Sequence, residues 1–282
     1  KNVRLLSGDV MKIKLVALDL DDTTLRSDST LADETLAALK ETAAAGVEIV
    51  VASGRAFTSL PRVILELEGV NYAISSNGSA VSTVKTGERI FSATLPGSVA
   101  EEIIRSYPDA MQECFMEGQP YCESSYYADP LSFGARPAYV NYIRTTRIAV
   151  PDIRAFMREN IDRLDSIDVI CPSPEKKAEY YERGRSIRGA NVTSSAPGLV
   201  EFVAEGVGKG SALRRLCSRL GVPADSVAAF GNGDNDADML AFAGFGVAVK
   251  NATEYCRQSA DYICESNDEL GVAKTLRKLI SD

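Results

Sequence analysis

The chain has 282 residues, 45% apolar and 25% charged, and its 31 Lys and Arg against 39 Asp and Glu give a formal net charge of −8. That length suits two domains with sizeable cores, and the acidic balance argues against non-specific binding to nucleic acid or an anionic membrane. Histidine is absent and the six cysteines form no C-x-x-C pair, so Cys/His zinc sites and Ser-His or Cys-His nucleophiles are excluded, leaving acid–base work to Asp, Glu, Lys, Tyr or Cys.

Lys1 to Val10 carry no clear pattern, and Met11 is expected to be the natural start. Ile13 to Leu18 reads as a buried parallel strand that delivers Asp19-Leu20-Asp21-Asp22-Thr23-Thr24-Leu25. A helix is expected over Asp33 to Ala45, with acids in its first turn and Gly46 as its stop. Val47 to Ala52 follows as a strand ending at Ser53-Gly54-Arg55. A helix over Thr58 to Glu68 and a strand over Tyr72 to Ser75 complete a β-α-β-α-β rhythm, which implies a parallel sheet with right-handed crossovers. Asn77-Gly78 signals a turn, with Val81 to Val84 and Arg89 to Ala93 pairing as a hairpin.

From about Leu95 the texture changes. Helices at Ser98–Ser106, Asp152–Leu164 and Pro174–Ile187 alternate with strands near Met111–Met116, Ile167–Ile170 and Leu199–Val203. Tyr126 to Arg147 carries no legible pattern. After Gly206 the βα rhythm returns, with a helix over Lys209–Leu220 closed by Gly221 and Pro223. A strand over Val227–Phe230 delivers Gly231-Asn232-Gly233-Asp234-Asn235-Asp236. Another helix, a strand at Gly246–Val249, a helix over Thr253–Ser259 and a last helix from Asp268 follow. The expected fold class is α/β: a doubly wound parallel-sheet core formed by 11–93 and 204–282, split by an inserted α+β domain at 94–203. No apolar stretch approaches membrane-spanning length and no signal-like apolar region opens the chain, so a cytoplasmic protein with reduced thiols is expected.

In a doubly wound sheet, function gathers at the carboxyl ends of the strands. Asp19 and Asp21, Ser53-Gly54, and Asn232 to Asp236 all arrive there, and Lys209 opens the helix before the last of these strands. Clustered carboxylates repel and resist burial, a cost that a cation relieves. Carboxylates, a hydroxyl, an ammonium and an oxygen-rich loop together suit Mg²⁺ and a phosphoryl group. Competing motifs fail on single residues: Val203 and Gly210 break a Walker loop around Lys209, Met239 and Phe245 break an EF-hand begun at Asp234, and Asp236 breaks a dinucleotide fingerprint begun at Gly231.

On these residues the chain resembles the haloacid dehalogenase superfamily, specifically its Cof-type phosphatases with a C2B cap. The resemblance rests on Asp19 and Asp21 (DxD), Ser53, Lys209, Gly231-Asn232-x-x-Asn235-Asp236 and the following Asp238-Met239-Leu240. It implies that Asp19 is a nucleophile forming a phospho-aspartate, that Asp21 protonates the leaving alcohol, and that Lys209 completes the catalytic set. It further implies phosphate binding by Ser53, Gly54, Lys209 and Asn235, and Mg²⁺ held among Asp19, Asp21, Asn232 and Asp236. Lys209 is expected to hold Asp19 ionised. Two positions depart from the pattern. Asp22 stands where many relatives have Gly, and Asn232 stands where the family's metal-binding Asp is usual; weaker Mg²⁺ affinity is expected, with Asp234 or Asp236 compensating.

The expected function is Mg²⁺-dependent hydrolysis of a small phosphorylated metabolite, a sugar phosphate or similar phosphomonoester. The alternatives are a phosphomutase and a non-catalytic phospho-signalling or binding module. In the cap, Tyr121, Tyr126, Tyr127 and Arg136 are the candidates to meet the substrate.

Overall fold

The computed structural model describes residues 12–281, so a start at Met11 lies outside the described residues. Five strands come first: β1 (Leu15–Leu18), β2 (Glu48–Ala52), β3 (Val70–Ser75), β4 (Ala80–Thr83) and β5 (Arg89–Ser92). Six follow: β6 (Gln112–Met116), β7 (Gln119–Glu123), β8 (Ile148–Val150), β9 (Leu164–Ile170), β10 (Ala190–Thr193) and β11 (Leu199–Ala204). The last three are β12 (Val227–Gly231), β13 (Phe245–Val249) and β14 (Tyr262–Cys264).

They form an eight-stranded sheet in the order β14-β13-β12-β1-β2-β3-β4-β5 and a six-stranded sheet in the order β10-β11-β9-β6-β7-β8. In the first, β14 through β3 run parallel and the β4–β5 hairpin continues antiparallel. β1 is buried along its whole length, as a central parallel strand covered on both faces must be. The second sheet is antiparallel except where β8 joins β7. Each sheet carries its own apolar core, with Leu18, Ile49 and Phe230 in one and Ile103, Ile167 and Phe202 in the other. The fold is therefore α/β, with a doubly wound parallel-sheet core, as the alternation of elements implied.

Local departures have local causes. The helix expected over Thr58 to Glu68 is two short pieces, Phe57–Ser59 and Arg62–Leu65. Pro61 stands between them, and proline cannot donate the hydrogen bond that would join them. The helix expected to reach Leu164 ends at Glu159, and Leu164 opens β9. Strands β7, β8, β10 and β14 were not anticipated. The stretch without legible pattern holds helices Ser124–Ala128 and Pro137–Thr146 with a 3₁₀ turn between them.

Candidate active site

The strand order of the large sheet reverses between β1 and β12, the place where an open α/β sheet leaves a crevice at its strand ends. Asp19 follows β1 there, and its N–H donates to the Phe230 carbonyl at 3.0 Å. Thr24 Oγ1 donates to the Asp19 carbonyl at 2.6 Å, closing the turn. Within it Asp22 sits at φ 56°. That left-handed conformation costs glycine nothing and is tolerated by Asp, a backbone reason for Gly to occupy this position in relatives.

Lys209 is the first residue of the helix Lys209–Leu220. Its Nζ donates to Asp19 Oδ1 at 2.7 Å and to Asp236 Oδ1 at 2.6 Å. The other oxygen of Asp236 accepts the N–H groups of Asn232 and Gly233, both at 2.9 Å. Asp236 is thus occupied on both oxygens and fully buried. Gly78, at φ 97°, packs against the loop before Lys209, where a Cβ would fall 2.2 Å from the Gly208 carbonyl oxygen.

Burial, with Asp236 second, pushes the Asp19 pKa up to about 7, against the pull of Lys209. Lys209 pulls Asp19 toward the ionised form, as expected, while desolvation and a second carboxylate oppose it. Against its own desolvation, Lys209 is held above the ordinary lysine range by Asp19 and Asp236.

The other expected site residues have partners of their own. Asp21 is gripped by a guanidinium fork, with Arg55 Nε on Oδ2 at 2.8 Å and Nη2 on Oδ1 at 2.6 Å. Ser53 is 1% exposed, and its Oγ accepts the Arg55 N–H at 3.1 Å. Asn232 Oδ1 accepts from Thr23 Oγ1 at 3.0 Å, and Asp234 Oδ1 from Thr253 Oγ1 at 2.6 Å. Asn235 Nδ2 donates to Asn77 Oδ1 at 2.9 Å, and Asn77 Nδ2 donates to Glu201 Oε1 at 2.9 Å. Among the described residues no three His, Cys, Asp or Glu side chains converge as metal ligands.

Above these residues lies a cavity of about 260 Å³, lined from below by Asp19, Asp21, Ser53, Gly54, Asn232 and Asn235. Glu113, Asp168 and Glu201 of the six-stranded sheet line it from above, joined by aromatic residues of the Tyr126–Arg147 stretch. Gly54 lets the two halves meet closely, since a Cβ there would lie 3.1 Å from Asn77 Oδ1 and 3.2 Å from Glu201 Oε1. Tyr126 and Arg136 reach the cavity. Tyr121 and Tyr127 do not: Tyr121 stacks on Phe156 with centroids 4.5 Å apart, and Tyr127 Oη donates to the Arg144 carbonyl at 3.0 Å. Sequence reasoning missed Arg55, Asn77, Glu113, Arg147, Asp168 and Glu201. Arg55 was adjacent to a recognised segment; polar residues inside apolar strands were the only signal for the three acids.

A family model for haloacid dehalogenase-like hydrolases matches residues 16–276. The chain belongs to that family. The Bacillus subtilis phosphatase YwpJ is 26% identical over 294 residues, covering 95% of this chain and 100% of that protein. The 5-amino-6-(5-phospho-D-ribitylamino)uracil phosphatase YcsE of the same organism is 27% identical over 267 residues, covering 94% and 95%. A solved haloacid dehalogenase-like hydrolase from B. subtilis superposes with a TM-score of 0.81 at 28% identity, covering 94% of this chain and 99% of that one. The chain is a phosphoric monoester hydrolase of this type, consistent with the Cof-type resemblance of its motifs.

Proposed function

We propose that the enzyme hydrolyses a small phosphorylated metabolite, a sugar phosphate or similar phosphomonoester, through a phospho-aspartate on Asp19. The observation that carries this reading is the buried Asp19–Lys209–Asp236 arrangement at the strand-order reversal, opening into one cavity. Residues 94–203 are taken as the cap over the reaction centre and the rest as the core. The six cysteines are free and buried, which supports a reducing, cytoplasmic setting. Among the described residues no helix is long and apolar enough to cross a membrane.

Asp19 is the attacking carboxylate, aimed by its Lys209 contact at one oxygen and, among the described residues, without a side-chain hydrogen bond at the second. Ser53, Gly54, Asn235 and Lys209 hold the phosphoryl oxygens. Asn235 is oriented for this by Asn77. Asp21 delivers a proton to the leaving alcohol and afterwards takes one from water. For this, Arg55 must give up at least one of its two contacts. Covalent transfer splits one displacement into two steps, which suits a chain with no histidine.

A hard divalent cation suits the donors present. They are oxygens only, and burial and Asp236 push the Asp19 carboxyl up against the pull of Lys209, a cost that a further cation would relieve. Asp19 and Asn232 would hold Mg²⁺, with Asp21 through its main-chain oxygen and Asp236 acting from behind by fixing the Asn232 loop. When bound, it neutralises charge on the transferring phosphoryl group. The test is colour release from p-nitrophenyl phosphate with Mg²⁺, coupled to measurement of free phosphate. Turnover that Asp19→Asn abolishes supports the reading; turnover that survives Asp19→Asn, or rearranged phosphate without net release, refutes it.

A further inference from the structure

Three carboxylates stand side by side across the six-stranded sheet on its cavity face. The register pairs Glu201 of β11 with Asp168 of β9, and Asp168 with Glu113 of β6. They are 1%, 2% and 1% exposed, and all three line the cavity that contains Asp19. Like charges directly opposed on neighbouring strands destabilise a sheet, and burial adds to the cost.

Their partners are unequal. Glu113 is paired with Arg147, whose Nε lies 2.6 Å and Nη2 3.4 Å from its oxygens. Glu201 accepts from Asn77 Nδ2 at 2.9 Å and from the Ser195 N–H. Asp168 Oδ1 is buried with no partner among the described residues. The buried cations around the cavity are committed elsewhere: Arg55 to Asp21, Arg147 to Glu113, and Lys209 to Asp19 and Asp236. Burial, then Glu201 and Glu113, pushes Asp168 well above the usual carboxylate range despite Arg147. Asp168 therefore favours a proton, which a ligand's positive charge at this place would displace. Phe115, Tyr126, Tyr139 and Tyr142 line the same cavity, and aromatic faces together with carboxylates are the surroundings that attract an ammonium group.

We propose that Asp168 and Glu201 form a subsite for a protonated amine on the leaving alcohol, so that the preferred substrates are amino-bearing phosphomonoesters. The proposal rests on the phosphatase reading above. An ammonium group brings three donors and the missing charge to the row, whereas a neutral polyol brings donors alone.

The test compares kcat/KM for ω-aminoalkyl phosphates of increasing chain length, each against the ω-hydroxyalkyl phosphate of equal length, with p-nitrophenyl phosphate as reference. At the length that spans scissile phosphate and carboxylate row, the amine is expected to be favoured about tenfold to a hundredfold, the range of a charge-assisted hydrogen bond. Asp168→Asn, close to isosteric, is expected to collapse that ratio to about threefold or less. The ratio is internal to each protein, and Glu201→Gln supplies a second variant if Asp168→Asn does not fold. Turnover of p-nitrophenyl phosphate without amine preference at any length overturns the subsite, as does a preference that survives both variants. Absence of all turnover instead overturns the phosphatase reading beneath it.

Discussion

Asp19→Asn is expected to abolish turnover and to stabilise the fold, by an amount set by pH. Asp19 is 5% exposed, and burial followed by Asp236 raises its pKa from 3.8 to about 7 against the pull of Lys209. Between those values the folded protein keeps a proton that the unfolded chain has lost. Stability from this group is therefore complete below 3.8, declines as pH rises, and stops declining once pH passes the folded value. At about 1.4 kcal/mol per pH unit the interval is worth about 4 kcal/mol. Asn has no proton to lose and still offers Lys209 an amide oxygen, while Lys209 keeps Asp236 at 2.6 Å. Urea unfolding of both proteins in EDTA measures the difference. The advantage of Asp19→Asn should widen by about 2 kcal/mol between pH 5.5 and pH 8. Mg²⁺ added at pH 8 should then stabilise the wild type more than the variant, by mass action on the ionised carboxylate. A variant less stable than the wild type at pH 8, or an advantage independent of pH, would refute the argument that burial outweighs Lys209.

Asn232→Asp adds a charge to the oxygen set around Asp19, and the Mg²⁺ concentration for half-maximal turnover should fall about tenfold or more; an unchanged or weaker Mg²⁺ requirement contradicts that role. Asn77 is 2% exposed at φ 52° and bridges Glu201 to Asn235. Asn77→Ala should cost about 2–4 kcal/mol in urea unfolding, from left-handed strain and buried groups left without partners. Asn77→Gly, free of that strain, should cost about 1 kcal/mol less; equal losses for the two would remove strain from the account.

The acidic strand end, the lysine that opens a helix and the parallel core were legible because each is local. A strand buried on both faces must be continuously apolar, and the helix Lys209–Leu220 carries its start and its Gly221 stop within its own residues. Tyr126 to Arg147 was not legible, because its side chains divide between the small sheet, the cavity and solvent and so follow no single period. Short strands such as β14, three residues long, are too brief to show one.

Partnership is what the sequence could not supply. That Arg55 closes on Asp21, that Asn77 joins Asn235 to Glu201, and that three acids meet across β11, β9 and β6 depend on register between segments far apart in the chain. The protonation of Asp19 depends on how much water the finished fold excludes and on Asp236, brought to the same ammonium from 217 residues away. Sequence alone determined which chemical groups arrive at the strand ends, since motif and periodicity are written in neighbouring residues. Only the tertiary structure decided which of them touch and which carry charge, since contact and desolvation belong to the whole fold.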